Sequence, residues 1–220
     1  MNIKALVQAA RKTLVDSADD VAGGIDALAS ATTDSKVLDE IPFIGTGVKI
    51  LKAKDRFVEH RFRRNCIALL EACSAANHSE RERLWSKLSA SEDVLADFTD
   101  TLLLITADSS KPYKATIVGN LIAALCKEQI SYGEYDALVH IVHAASIPAL
   151  KAVESYFKKG AKSQGASIDE EPLLLSLGVA NRFGTGFRVS DLGHRLYKLG
   201  MKGDSPWISA FDLEDEESRP

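Results

Sequence analysis

Apolar residues recur at every third or fourth position along most of this chain, and this spacing constrains the fold more than any other feature. It is clearest between residues 43 and 75, where arginines and a glutamate separate the apolar residues. The members of this stripe are Phe57, Phe62, Cys66, Leu69, Leu70 and Cys73. Because an α-helix turns once in about 3.6 residues, the spacing predicts a long amphipathic helix with one buried face.

Helix-start signals divide the rest of the first 160 residues into further helices. Ser79 with Glu82, and Ser131 with Glu134, have the spacing of a capping box, in which each side chain binds the other residue's backbone N–H. The other predicted helix starts lie at Ser91, Pro112 and Pro148. We therefore predict a mainly α protein with a helical bundle, in which Gly119 lets a neighbouring element approach closely.

The C-terminal part has a different pattern. A segment rich in Lys, Ser and Gly at 160–167 predicts a linker, and a short helix, a glycine-containing hairpin tip at 183–189 and a helix capped by Ser190 follow it. The last residues are strongly acidic. The predicted organisation is a helical bundle at 1–160, a small α+β unit at 161–203 and an acidic tail at 204–220.

Three stretches carry a resemblance to known proteins. LLLSLGVANRFGTGFRVSDLGHRLYKLG, at 173–200, resembles the second half of a winged-helix domain, with Ser190, Leu192 and Gly193 in matching places. IPFIGTGVKILKAKDRF and ATIVGNLIAALCKEQISYGEYDALVHIV are similar to an uncharacterised group of bacterial helical proteins. The resemblance implies a helical fold with a winged-helix-like C-terminal unit, and it implies no activity and no catalytic residues.

Positive charge is concentrated in one segment of an acidic protein. The whole chain has 27 Lys and Arg against 31 Asp and Glu, a net charge of −4, which argues against a surface built throughout to hold nucleic acid. Between residues 49 and 64, by contrast, seven cations face only Asp55 and Glu59. The candidate binding residues of this segment are Lys49, Lys52, Lys54, Arg56, Arg61, Arg63 and Arg64.

Four partners fit this basic segment. It has the charge to contact nucleic-acid phosphates, an anionic membrane surface, an acidic protein, or the acidic surface of its own chain. The winged-helix resemblance would place residues 168–179 in a DNA groove, yet this stretch has three acidic residues and no Lys or Arg. This distribution favours a winged-helix-like unit that contacts protein.

Residue constellations that carry catalysis are weak in this sequence. Asp136, His140 and His143 share one side of a predicted helix, but buried or exposed helix histidines are more common than a metal site, and we predict none. Gly45 and Gly47 precede a lysine without the Gly-Lys-Ser/Thr of a phosphate-binding loop. No nucleophile motif is recognised, so we predict no cofactor and favour a non-enzymatic protein, with enzymatic activity left open.

The cysteines and the N-terminus indicate the compartment. Arg11 and Lys12 interrupt the run that a signal peptide would need, and no stretch has the roughly 20 apolar residues of a membrane span. Three sparse cysteines, Cys66, Cys73 and Cys126, are typical of buried reduced thiols. We therefore expect a cytoplasmic interaction or regulatory protein that binds a protein partner or a second copy of itself, with nucleic-acid binding or peripheral membrane association as alternatives.

Overall fold

The computed structural model describes residues 3–16, 18, 56–158, 171–184 and 186–201 of the chain. The chain divides into two compact units, Met1–His143 and Ala144–Pro220. The described residues are mainly helical, as the apolar spacing predicts, and they include one small antiparallel sheet. The predicted linker at 160–167 and the acidic tail at 204–220 lie outside the described residues.

The described part of the first unit consists of helices. They are α1 (Ile3–Arg11), which continues as a π-helical turn (Lys12–Asp16), α2 (Arg56–Cys73), α3 (His78–Leu88), α4 (Glu92–Asp108), α5 (Pro112–Cys126) and α6 (Tyr132–Ala144, whose last residue falls in the second unit). The N-terminal segment packs on α3, where Arg11 pairs with Glu82 at 2.9 Å and His78 Nδ1 lies 3.0 Å from Val15 O.

The core of this unit is the contact between α2 and α5. The predicted stripe of α2 is buried, which confirms the amphipathic helix; the side chain of Phe57 is outside the described ones. Helix α5 is buried on nearly every side, as expected for a helix that is apolar all round. Gly119 of α5 faces Leu69 O and Ala72 Cβ so closely that a Cβ would collide with both, which confirms the predicted close approach.

Most predicted helix starts are confirmed, and one is wrong. Ser91 accepts a hydrogen bond from Val94 N, Pro112 occupies the first turn of α5, and Ser131 forms the predicted capping box with Glu134. Helix α3 begins at His78 instead of after Ser79, because Asn77 forms the capping box with Glu80. Asparagine is as good an N-cap as serine, and its box lies two residues earlier.

Helix α7 (Ile147–Lys158) belongs to the second unit, although the predicted bundle at 1–160 included it. Helix α8 (Glu171–Ser176) follows, then strands β1 (Ala180–Phe183) and β2 (Gly186–Val189), α9 (Asp191–Arg195) and a π-helical turn (Leu196–Met201). The strands pair antiparallel, with Ala180 opposite Val189. Phe157 of α7 stacks on Tyr197, with ring centroids 4.3 Å apart.

Candidate functional site

The structure describes three of the seven basic residues in full. Arg61, Arg63 and Arg64 lie in α2, and Arg56 is its first residue, with a side chain outside the described ones. Lys49, Lys52 and Lys54 lie outside the described residues. Arg63 is buried, with 8% of its surface exposed, so it is not part of an exposed contact surface.

Arg61 and Arg64 lie against the C-terminal end of α4 and the turn that follows it. Arg61 Nη2 donates to Ala107 O at 3.1 Å, and Arg64 Nη2 donates to Ser110 O at 3.2 Å. Between them the buried Asn65 donates to Thr106 O at 3.0 Å and to Ser109 O at 2.7 Å. These three side chains satisfy carbonyls in the last turn of α4 and in the two residues that follow it.

This arrangement also has an electrostatic reason. The carbonyl end of a helix carries partial negative charge, which favours cations beside its last turn. Helix α4 has no basic residue of its own there. The arginines of α2 therefore supply the positive charge from another element. A guanidinium has five N–H donors, so each arginine has more donors than the one carbonyl that it binds requires.

Two lysines at the start of α5 lie on the same side of the unit as the arginines. Lys111 is exposed and is the N-cap residue of α5, and no side chain caps that helix. Lys114 lies one turn further on, where its Nζ donates to His143 O at 2.7 Å. The positive end of the α5 dipole thus lies beside these cations. We call Arg61, Arg64, Lys111 and Lys114 the basic end.

The carboxylate of Asp108 lies close to the basic end. Asp108 is exposed at the last position of α4, and its charge favours the charged form of Lys114. Burial nevertheless lowers the pKa of Lys114, because it disfavours an ammonium group more than Asp108 supports it. The four cations of the basic end outnumber this carboxylate.

Sequence reasoning identified Arg61 and Arg64 and missed both lysines. Lys111 and Lys114 stand on either side of Pro112, which was predicted to start a helix. This start placed Lys111 at the N-cap position, and a lysine there cannot cap the helix with its side chain. The sequence therefore held a signal for Lys111. No sequence signal placed the two lysines near Arg61 and Arg64, because each arginine binds a carbonyl that is 46 residues away in the chain.

Other chemistry-bearing residues are separate or buried. His140 Nε2 lies 3.5 Å from Asp136, both partly exposed, and no three metal-ligating residues come together within the described ranges. All three cysteines are free and buried, as predicted for buried thiols. Burial raises the pKa of each thiol, that of Cys126 to about 12, so thiolate is scarce near neutral pH.

No single helix of the described residues is long and apolar enough to cross a membrane. Helices α6 and α7 meet the two requirements of length and apolarity only when their residues are counted together. Comparison with known proteins gave no match: no protein family, no curated protein and no solved structure is significantly similar to this chain.

Proposed function

We propose that this chain is a non-enzymatic interaction protein that binds an acidic partner protein through its basic end. The observation that carries the proposal is the meeting of two exposed cations, Arg64 and Lys111, with the uncapped N-terminus of α5. Both cations and the helix N-terminus attract anions, and α2 and α5 hold these three groups in fixed positions. The basic residues at 49–56 extend the same charge along the sequence.

An acidic protein fits this surface better than nucleic acid does. The protein has a net charge of −4, and Asp108 lies within the basic end. Phosphate backbones are bound best by continuous positive stripes, whereas a protein partner can match a small patch interrupted by a carboxylate. Because the chain resembles an uncharacterised group of bacterial proteins, we expect this interaction to take place in a bacterium.

We further propose that the C-terminal unit is winged-helix-like and contacts protein. Its hairpin has a turn at Gly184 with φ of +58°, and Ser190 accepts from Gly193 N at the start of α9. The helix before the hairpin, α8, presents no Lys or Arg to a nucleic acid. Its Glu171 is buried and pairs with Arg182 of β1 at 2.9 Å.

The test compares two variants with the same change in net charge. Arg64→Glu with Lys111→Glu reverses the basic end, and Arg11→Glu with Lys151→Glu reverses two exposed cations outside it. Full-length protein is purified gently from its own host and examined by native mass spectrometry. We expect a stoichiometric protein partner with the natural chain and the control, and at least about tenfold less complex with the basic-end variant, equivalent to about 1.4 kcal/mol.

Two outcomes would contradict the proposal. A partner that remains bound to the basic-end variant would show that this surface is not the contact. Salt-dependent binding of duplex DNA, or flotation with phosphatidylserine vesicles, that is lost in the same variant would assign the basic end to nucleic acid or membrane instead.

A further inference from the structure

The outer face of α4 carries one apolar side chain beside a row of carboxylates. Leu104 is 49% exposed, and it is the only exposed large apolar side chain among the residues that the structure describes. Asp93, Asp97 and Asp100 are exposed on its N-terminal side. Since successive residues of an α-helix are about 100° apart, all three lie within about 40° of Leu104 around the helix axis. We call Asp93, Asp97 and Asp100 the acidic stripe.

The two ends of this face carry opposite charge. The acidic stripe occupies the first half of α4, and the helix has no Lys or Arg of its own. The basic end lies at the other end of α4, where Arg61 and Arg64 bind backbone carbonyls. Asp97 precedes Leu104 by seven residues, and Lys111 follows it by seven. The exposed leucine therefore lies midway between negative and positive charge.

The contacts of these charges leave ion pairs to be gained. Arg61 and Arg64 donate to carbonyl oxygens, which are neutral groups. Asp97 Oδ2 accepts from the hydroxyl of Tyr132 at 3.2 Å, which is a neutral group as well. A second molecule that brings cations to the acidic stripe and carboxylates to the basic end forms new ion pairs, and does not merely exchange one carboxylate for another.

A second copy of this chain matches the face at both of its ends. Two copies of α4 that pack antiparallel across Leu104 place the acidic stripe of each copy beside the basic end of the other. The two leucine side chains then meet at the centre and bury each other. Such an interface has twofold symmetry, because both partners use the same patch.

Asp108 lies between Leu104 and the basic end, and the symmetry keeps it from opposing the acidic stripe directly. Asp100 and Asp108 are about 80° apart around the helix axis, on opposite sides of Leu104, whereas a twofold axis pairs residues of the same side. Asp97 shares the side of Asp108 but lies about 10 Å from Leu104 along the axis, against about 6 Å for Asp108. Asp97 of one copy therefore reaches past Asp108 of the other to the cations.

We propose that the outer face of α4 and the basic end form the interface of a homodimer, in which the acidic stripe of each copy binds the basic end of the other. This inference rests on the proposed function, since it names the acidic partner of the basic end. Helix α4 has 17 residues and a length of about 25 Å, so one of its faces is small for a permanent interface. The dimer is therefore transient, with a dissociation constant of about 10–100 µM at low salt.

The test measures the monomer–dimer equilibrium of the purified full-length chain by sedimentation equilibrium, from about 1 to about 500 µM. We expect the mean mass to rise from that of one copy towards that of two. Raising the salt from about 50 to about 500 mM should weaken the dimer at least about tenfold, because its ion pairs are exposed at the surface. Leu104→Ser, which removes the apolar centre, should weaken it several-fold.

Charge reversal at each end tests which surfaces meet. Arg64→Glu with Lys111→Glu reverses the basic end, and Asp97→Lys with Asp100→Lys reverses the acidic stripe. We expect each variant alone to dimerise at least about tenfold more weakly than the natural chain, because like charges then oppose each other. An equimolar mixture of the two should form a heterodimer, since each reversed end meets the opposite charge in the other variant.

The control is Arg11→Glu with Lys151→Glu, which reverses two exposed cations outside this face and should dimerise like the natural chain. Circular dichroism checks that each variant retains its helices. If the acidic-stripe variant unfolds, Asp93→Lys with Asp100→Lys replaces it, because this pair leaves the hydrogen bond from Tyr132 to Asp97 in place.

Four results would overturn the proposal. A natural chain that stays monomeric up to about 500 µM forms no such dimer. A dimer that persists in both reversed variants uses another surface, and one that is weakened only by reversal of the basic end places that end against a different part of the second copy. A mixture of folded variants that stays monomeric shows that the two ends do not face each other.

The failure of this inference is distinguishable from the failure of the proposed function. A monomeric natural chain whose partner from the host is lost in the basic-end variant would remove the homodimer and keep the proposed function. A host partner that remains bound to the basic-end variant would contradict the proposed function, whatever the mass of the purified chain.

Discussion

Gly119 is the point at which α5 comes closest to α2. A Cβ built there would lie 2.7 Å from Ala72 Cβ and closer still to Leu69 O, and a backbone oxygen within a helix cannot move aside. We expect Gly119→Ala to lower the free energy of unfolding by about 1–3 kcal/mol, measured by urea denaturation.

The matched control for this substitution is Gly133→Ala in α6. No atom lies within 4 Å of a Cβ at that position, so the added methyl meets open space. Alanine favours the helix by up to about 1 kcal/mol, and the control should be neutral or slightly stabilising. If Gly119→Ala proves as stable as Gly133→Ala, the close packing of α2 on α5 is wrong.

The three thiols allow a second prediction about individual side chains. Because burial raises the pKa of Cys66, Cys73 and Cys126, very little thiolate is available to react. With an aromatic disulfide reagent at about pH 8, we expect labelling of the folded chain to be at least about 100-fold slower than in urea, where all three react.

Raising the pH to about 9 should leave this protection largely in place, because the pKa of Cys126 is about 12 and those of the other two are also raised. Thiolate forms only as the pH approaches those values. Rapid labelling of one cysteine in the folded chain would show that its side chain is more accessible than described.

The start of α3 tests how a helix chooses between neighbouring caps. Asn77 Oδ1 accepts from Glu80 N at 3.0 Å, and Ser79 Oγ only donates to that same oxygen, at 2.7 Å. We expect Asn77→Ala to cost about 1 kcal/mol of stability, within the 0.5–2 kcal/mol typical of an N-cap, and Ser79→Ala to cost less. Urea denaturation of both variants measures the difference, and a larger loss for Ser79→Ala would favour the box expected from sequence.

These caps show how far local sequence predicts an element. The box at Ser131 and Glu134 was predictable because both partners lie within three residues and no rival cap stands beside them. At α3 two overlapping boxes, each with a glutamate three residues after its cap, compete within six residues. Their choice depends on where the preceding chain leaves α2, which local spacing does not contain.

For the whole chain, stability should depend on the packed interior and little on surface apolar residues. Leu121 is completely buried in α5, whereas Leu104 on α4 is 49% exposed. We expect Leu121→Ala to cost about 2–5 kcal/mol, since it leaves a cavity, and Leu104→Ala to change stability by less than about 0.5 kcal/mol.

Unfolding in urea gives both values, and hydrogen exchange should show faster opening across α2 and α5 in Leu121→Ala alone. Equal effects of the two substitutions would contradict the packing of α5 at the centre of the first unit.

The amino-acid sequence by itself determined which segments are helices and which of their sides are apolar. Both properties depend on residues within one or two turns, as in the stripe from Phe62 to Cys73, in Pro112 and in the Ser131 box. It also located positive charge at Arg61 and Arg64, since they are close in sequence.

Only the tertiary structure decided what these residues contact. Arg61 and Arg64 bind carbonyls 46 residues away and share their surface with Lys111, and Glu128 pairs with Lys87, 41 residues away. Such pairs arise because the packing of α2 against α4 and α5, and of α3 against α5, brings distant helix ends together. Hydrophobic packing determines which ends meet, and the charges then pair with the partners that this packing places beside them.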